Sequence, residues 1–175
     1  MSLLTILKYP DPRLAEESLD VEEFGDELKA LASDMCETMI SAPGVGLAAP
    51  QVGRLLRVIV VDRSDPEDEV RRPEPLVLVN PEIVHADGSQ VFREGCLSVE
   101  DFQSDVTRYL EVEVEAQDLD GNFFTVEAEG RMAVILQHEI DHLDGVLFLD
   151  HVSPLKRSMY TKSLLKRRSK DRDGR

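Results

Sequence analysis

The chain has 175 residues, enough for one domain with a hydrophobic core and too few for two of ordinary size. Apolar residues make up 42% and charged residues 31%, and no apolar run approaches the roughly 18 residues of a membrane span, so a disordered chain and a membrane-spanning one are both excluded. The formal charge of −15 is uneven: residues 1–150 carry 11 Lys and Arg against 33 Asp and Glu, whereas residues 151–175 carry 9 basic side chains against 2 acidic. The body should be repelled by nucleic acid, while the tail is either a solvated helix with a frayed end or a segment drawn to polyanions. The opening residues show neither a basic stretch followed by an apolar core nor an Arg- and Ser-rich presequence, so a cytoplasmic protein is expected. With no secretion signal, Cys36 and Cys96 are expected to be unbridged.

Leu28, Leu31, Ala32, Met35, Cys36, Met39 and Ile40 recur at spacings of three and four, which predicts an amphipathic helix ending before Pro43. A Gly-rich loop follows, and residues 57–62 (RVIVVD) read as a buried strand. Residues 63–75, charged and Pro-containing, read as a surface loop. Residues 76–84 read as a strand interrupted at Asn80-Pro81, which suggests a bend or an edge position. Leu110, Val112, Val114 and Ala116 alternate with acidic or polar residues; Asp120-Gly121 marks a turn, and Phe124, Val126 and Ala128 alternate on the return. Gly130 opens a helix through Ile135, His138 and His142 that Gly145 caps, and Ser153-Pro154 starts a last helix. Strands in the middle and helices towards both ends predict an α+β domain with a largely antiparallel sheet, packed around the histidine-bearing helix and followed by a C-terminal helix.

The sharpest chemical signal is Gln137-His138-Glu139-Ile140-Asp141-His142. On a helix, His138 and His142 project from one face one turn apart, so both can bind one metal ion, and Glu139 can reach a water beside it. The bland reading is two histidines satisfied by core hydrogen bonds or exposed to solvent. A catalytic site needs a third protein ligand and an open position. The extended metallopeptidase pattern would put a third His where Phe148 stands, and His151 lies three residues too far along. Cys96, in residues 93–99 (REGCLSV), is the leading candidate, with Gly95 permitting close backbone approach. Residues 44–53 (GVGLAAPQVG) also let a backbone pass close to another group, and Gln51 offers an amide donor there, but they lack a phosphate-loop pattern.

GVGLAAPQVG, EGCLSV and QHEIDHLDG, in this order, resemble the three signature motifs of peptide deformylases, and residues 9–14 (YPDPRL) resemble that family's opening. The resemblance runs to about Asp150 and implies a catalytic domain over residues 1–152, with 153–175 a basic C-terminal helix or tail. It implies that Cys96 as thiolate, His138 and His142 hold one divalent ion: ferrous iron in most of the family, with zinc, nickel or cobalt suiting the same ligands. A water in the open position would attack the substrate, with Glu139 taking its proton and later passing one to the leaving amine. The Gln51 amide and the Leu97 backbone N–H would stabilise the oxygen that becomes negative. The implied substrate is a nascent chain beginning with formyl-methionine, and the products are formate and a free amine. Val134 and Ile135 share the His138 face of the helix and, with Val45 and Gly46, are expected to line the methionine slot.

Read as a partner surface, the basic tail (Lys156, Arg157, Lys162, Lys166, Arg167, Arg168) suits ribosomal RNA, where a C-terminal helix of some family members docks. The implied setting is a bacterial cytoplasm, with the mature form of an organellar protein as the alternative. The chain departs from the family after Val99: where many members have Pro, Gly and a substrate-contacting Arg, residues 100–105 (EDFQSD) are acidic. Repulsion by Glu100, Asp101 and Asp105 is therefore expected to weaken binding of acidic peptides. Three rivals stand beside the deformylase reading. An endopeptidase is opposed by Phe148; the others are a hydrolase of another N-acyl substrate and a non-catalytic homologue that binds metal or peptide.

Overall fold

Helix α1 (Asp26–Ser41) buries Leu28, Ala32, Met35 and Met39, a stripe at spacings of four, three and four that defines one helical face. Ile40 falls off that face and is 43% exposed, so the stripe is narrower than the run of apolar residues suggested. The structure, a computed structural model, describes residues 3–64 and 72–173. Most of the expected 63–75 loop, residues 65–71, lies outside the described residues. Cys36 and Cys96 are unbridged, as expected.

The Gly-rich segment is more ordered than a loop: Gly46–Ala48 form a short strand, β1, fully buried and antiparallel to β2 (Val58–Asp62). Strand β2 is buried along its whole length because both of its faces are covered. Ile59 and Val61 pack under the second helix, while Val58 and Val60 pack under α1. Strand β3 (Pro75–Asp87) follows, and Asn80-Pro81 does bend it, at a register shift between Val79 and Glu82. It is not an edge strand, however. The shift lets Pro81 sit where no ladder bond is required. Asn80, at φ 50°, fixes the bend by accepting from the Val21 N–H (2.8 Å) and donating to Val21 O (3.0 Å) and Gln117 Oε1 (2.9 Å).

Strands β4 (Gln90–Cys96) and β5 (Val99–Arg108) form a separate two-stranded hairpin, whereas β6 (Glu111–Gln117) and β7 (Phe123–Glu129) complete the main sheet in the order β1-β2-β3-β6-β7. Every pairing of these strands is antiparallel. Helix α2 (Gly130–Leu143) lies on one face of the main sheet, where Ala133, Leu136, Ile140 and Leu143 pack against Ile59, Leu78 and Val114. Helix α3 (Pro154–Asp173) is anchored rather than free, with Tyr160 and Leu164 buried against Leu14, Val99, Val106 and Phe148. No helix among the described residues is long and apolar enough to cross a membrane.

Gly145 ends α2 at φ +70°, and a Cβ there would come 2.7 Å from the Ala15 carbonyl oxygen. Left-handed backbone costs any other residue about 1–2 kcal/mol before the clash is counted. Gly145→Ala should therefore lower stability by about 2 kcal/mol or more, seen as a lower denaturant midpoint at unchanged slope.

Candidate metal centre

Helical spacing on α2 brings the His138 and His142 rings to 5.1 Å between centroids, edge to face. Cys96 ends β4 just before the two-residue turn Leu97-Ser98, and its Sγ lies 3.2 Å from His142 Nε2. One ligand atom from each of Cys96, His138 and His142 lies within 4.8 Å of the others. Phe148 is buried, its ring 6.0 Å from that of His138, so it forms a wall where the extended metallopeptidase pattern would have a ligand.

Sequence reasoning missed what holds this cluster together. Glu94 Oε2 lies 2.8 Å from His138 Nδ1, and the same carboxylate receives Arg108 Nε (2.7 Å) and Nη2 (3.1 Å). Arg108 Nη1 also donates to Asp141 Oδ2 at 2.6 Å, which faces His151 Nε2 at 2.8 Å. Burial pushes the Glu94 carboxyl up, but hydrogen bonds from His138 and Arg108 outweigh it and bring its pKa down to about 2. An ionised Glu94 accepts only, so His138 donates from Nδ1, and Nε2 is the nitrogen a ligand role would use. Burial pushes the His138 ring down, but hydrogen bonds to Cys96 and Glu94 outweigh it and hold the ring well above its ordinary value, so an ion would displace the Nε2 proton. His142 is held well below its ordinary value, by burial and then by its charged neighbours, and is neutral.

Gln51 is oriented by its own backbone neighbourhood. Its Oε1 accepts from the Ala48 N–H at 2.8 Å, which turns Nε2 towards Ser98 Oγ (3.1 Å) and Cys96 Sγ (3.5 Å). No acceptor for the Leu97 N–H is seen among the described residues. Glu139 is buried, its Oε2 has no partner there, and desolvation pushes its carboxyl up to about 7. A Cβ on Gly46 would overlap the Glu139 side chain, and one on Gly44 would come 2.8 Å from Leu97 Cδ1, so the small residues of the first motif make room for the other two.

These groups open onto a cleft of about 400 Å³ whose walls include Val45, Gly46, Val134 and Ile135. Glu100, Asp101 and Asp105 are not among its lining residues. Glu100 pairs with Lys8 (3.3 Å) and Asp101 with Arg167 (2.8 Å), whereas Arg93 and Arg131 do line the cleft. Glu100 and Asp101 are thus engaged by basic side chains outside the cleft, while Asp105 stands opposite Arg93 in the β4–β5 register.

One sulfur, two imidazole nitrogens and a buried carboxylate with an unpartnered oxygen fit a single divalent ion and have the make-up of a mononuclear metal-hydrolase centre. Residues 3–158 match the polypeptide deformylase family. A peptide deformylase of Zymomonas mobilis is 50% identical over 171 residues, 96% of either chain, and one of Desulfotalea psychrophila is 48% identical over 95% of this chain and 97% of its own. The crystal structure of a peptide deformylase from Legionella pneumophila is similar at a TM-score of 0.87 and 45% identity, covering 97% of this chain and 98% of that one. A Met-Ala-Ser-bound class I type b peptide deformylase from Acinetobacter baumannii is similar at 0.79 and 36% identity, covering 86% of this chain and 99% of that one. The chain belongs to the polypeptide deformylase family.

The depressed Glu94 pKa sets a stability prediction for the metal-free protein. From an ordinary 4.5 to about 2, ionised Glu94 contributes about 3 kcal/mol that is present above pH 4.5 and lost as pH falls towards 2. Glu94→Gln should thus be less stable than wild type at neutral pH, and the gap should shrink between pH 4.5 and 2 in denaturant titrations.

Proposed function

We propose that this protein removes the formyl group from the N-terminal formyl-methionine of nascent peptides, releasing formate and a free amine. The observation that carries the reading is the convergence of Cys96, His138, His142, Glu139 and Gln51 at one cleft in a chain of this family. The apolar walls of that cleft, Val45, Val134 and Ile135, suit a methionine side chain. The Acinetobacter relative is described with Met-Ala-Ser bound, and an unformylated peptide starting with Met is what this hydrolysis would leave.

Cys96 as thiolate, His138 and His142 are the proposed ligands. An ion held there supplies Lewis acidity, polarising the formyl carbonyl and bringing water into play near neutral pH. Ferrous iron is the proposed native ion, as the family resemblance implies, and the same donors accept zinc, nickel or cobalt. Glu139 takes the proton of the attacking water and delivers it to the leaving amine. Its burial suits this, because a carboxyl raised towards neutrality can both hold and surrender a proton at cellular pH. Gln51 and the Leu97 N–H donate to the formyl oxygen as it becomes negative. Gln51 arrives already oriented by Ala48 and Ser98, so little rearrangement is needed at the moment of reaction.

Formate release from formyl-Met-Ala-Ser by protein loaded anaerobically with ferrous iron tests this reading. Glu139→Ala should keep one ion per chain and lose at least about 10²-fold in kcat; Gln51→Ala should lose on the order of 10²–10³. Cleavage of unformylated peptides would move the reading to an endopeptidase. No release with any metal, one ion still bound, would move it to another N-acyl substrate or to a non-catalytic binder.

Since the substrate is a nascent chain, the reading carries a cytoplasmic location and docking at the ribosome through α3. Arg157 pairs with Asp150, Arg167 with Asp101, and Arg168 donates to Tyr9 O at 2.8 Å. Lys156, Lys162 and Lys166 are exposed and have no carboxylate partner among the described residues, which leaves them for phosphate. Because α3 contributes Tyr160 and Leu164 to the core, charge substitution is a cleaner test than deletion. Replacing the three lysines with Glu should abolish salt-sensitive co-sedimentation with ribosomes while leaving the melting temperature within a few degrees. Unchanged sedimentation would contradict ribosome docking through this face.

A further inference from the structure

The body of this protein is strongly acidic, yet the free charge lining its cleft is positive. Arg93 and Arg131 both line the cleft, and neither has a carboxylate within ion-pair distance among the described residues. Arg93 lies on the exposed face of β4, where its Nε donates to Gln103 Oε1 at 3.2 Å. Asp105 is its register partner on β5, but the two make no ion pair. Of the carboxylates that line the cleft, Glu94 is held by Arg108 and His138, and Glu139 is buried beside the ligand cluster. Glu100 and Asp101 are drawn away by Lys8 and Arg167.

Arg131 is also in an electrostatically costly place. It occupies the first turn of α2, which contains no acidic residue, and the helix dipole there is already positive. A cation at that end gains nothing from the helix dipole, although Glu129 stands at the N-cap two residues before it. Two guanidiniums without an ion-pair partner among the described residues thus line one opening of a chain whose net charge is −15.

An extended peptide advances about 3.3 Å per residue. One anchored by its formyl group beside Cys96 and His138 therefore carries its next two side chains outward along the cleft walls. We infer that the cleft selects formylated peptides bearing a carboxylate in the residue that follows the methionine, with Arg93 and Arg131 as the specificity-determining residues. This rests on the deformylase reading above and reverses the preference expected from residues 100–105.

The test compares kcat/KM for formyl-Met peptides that differ only at the second residue (Glu, Gln or Lys), in low and high salt. The Glu peptide should exceed the Lys peptide by about three- to tenfold, mostly through KM, as expected for two partly exposed charge contacts. The ratio should contract in high salt, and it should fall to about one in Arg93→Gln/Arg131→Gln. Efficient hydrolysis of all three peptides with equal constants would overturn the inference and leave the deformylase reading intact. So would a Glu preference that survives the double substitution. Hydrolysis of none of them, in protein that retains its metal, would overturn the deformylase reading and this inference with it.

Discussion

The arrangement hangs on a buried guanidinium. Arg108, 6% exposed, reaches from β5 to Glu94 on β4 and to Asp141 on α2. The cysteine of the site is carried by the β4–β5 hairpin, which is not part of the main sheet, and both histidines are carried by α2. Without a tie between them, nothing in the sheet topology would keep Cys96 against His142. Compared with apolar side chains of the same size, a buried ion cluster of this kind adds little net stability, although removing one partner, as at Glu94, is costly. Its contribution is positional: it fixes the hairpin on the helix and, through Glu94, the tautomer of His138.

The hydrophobic core makes that tie rigid. Helix α2 turns Ala133, Leu136, Ile140 and Leu143 into the sheet, while Val134, Ile135, His138 and Glu139 line the cleft. One helix therefore serves as both core and site. Small residues of β1 and its approach let the cleft close around Glu139, because Gly44 and Gly46 leave space that a methyl group would fill. The same strand end supplies the Ala48 N–H that orients Gln51. The three motifs separated in sequence thus shape one another's side chains.

Much of this was legible before any coordinates. The stripe on α1, the buried run of β2, the β6–β7 alternation and the caps of α2 and α3 are local patterns, and local patterns survive folding. His138, Glu139 and His142 were legible for the same reason, since four-residue spacing on a helix is itself a geometry. The β4–β5 hairpin was not legible as strands. Its inward positions mix Glu94, Cys96, Ser104 and Arg108 with Val99 and Val106, so the usual apolar alternation is broken. The contacts that hold the site join residues 14, 33 and 44 positions apart, and no periodicity reports on them. Asn80-Pro81 suggested an edge because a proline cannot donate to a ladder; a register shift in a central strand meets the same constraint. In the acidic stretch after Val99, composition likewise does not reveal that Lys8 and Arg167 engage Glu100 and Asp101.

The central claim is that hairpin and helix close around one ion through a thiolate and two imidazoles. Cobalt(II) titration read by absorption spectroscopy tests it most directly. One equivalent should produce intense visible bands of a four-coordinate ion together with a sulfur-to-cobalt charge-transfer band, and Cys96→Ser should lose the latter. A wild-type spectrum without sulfur ligation, or a Cys96→Ser protein that yields the same spectrum, would contradict the account.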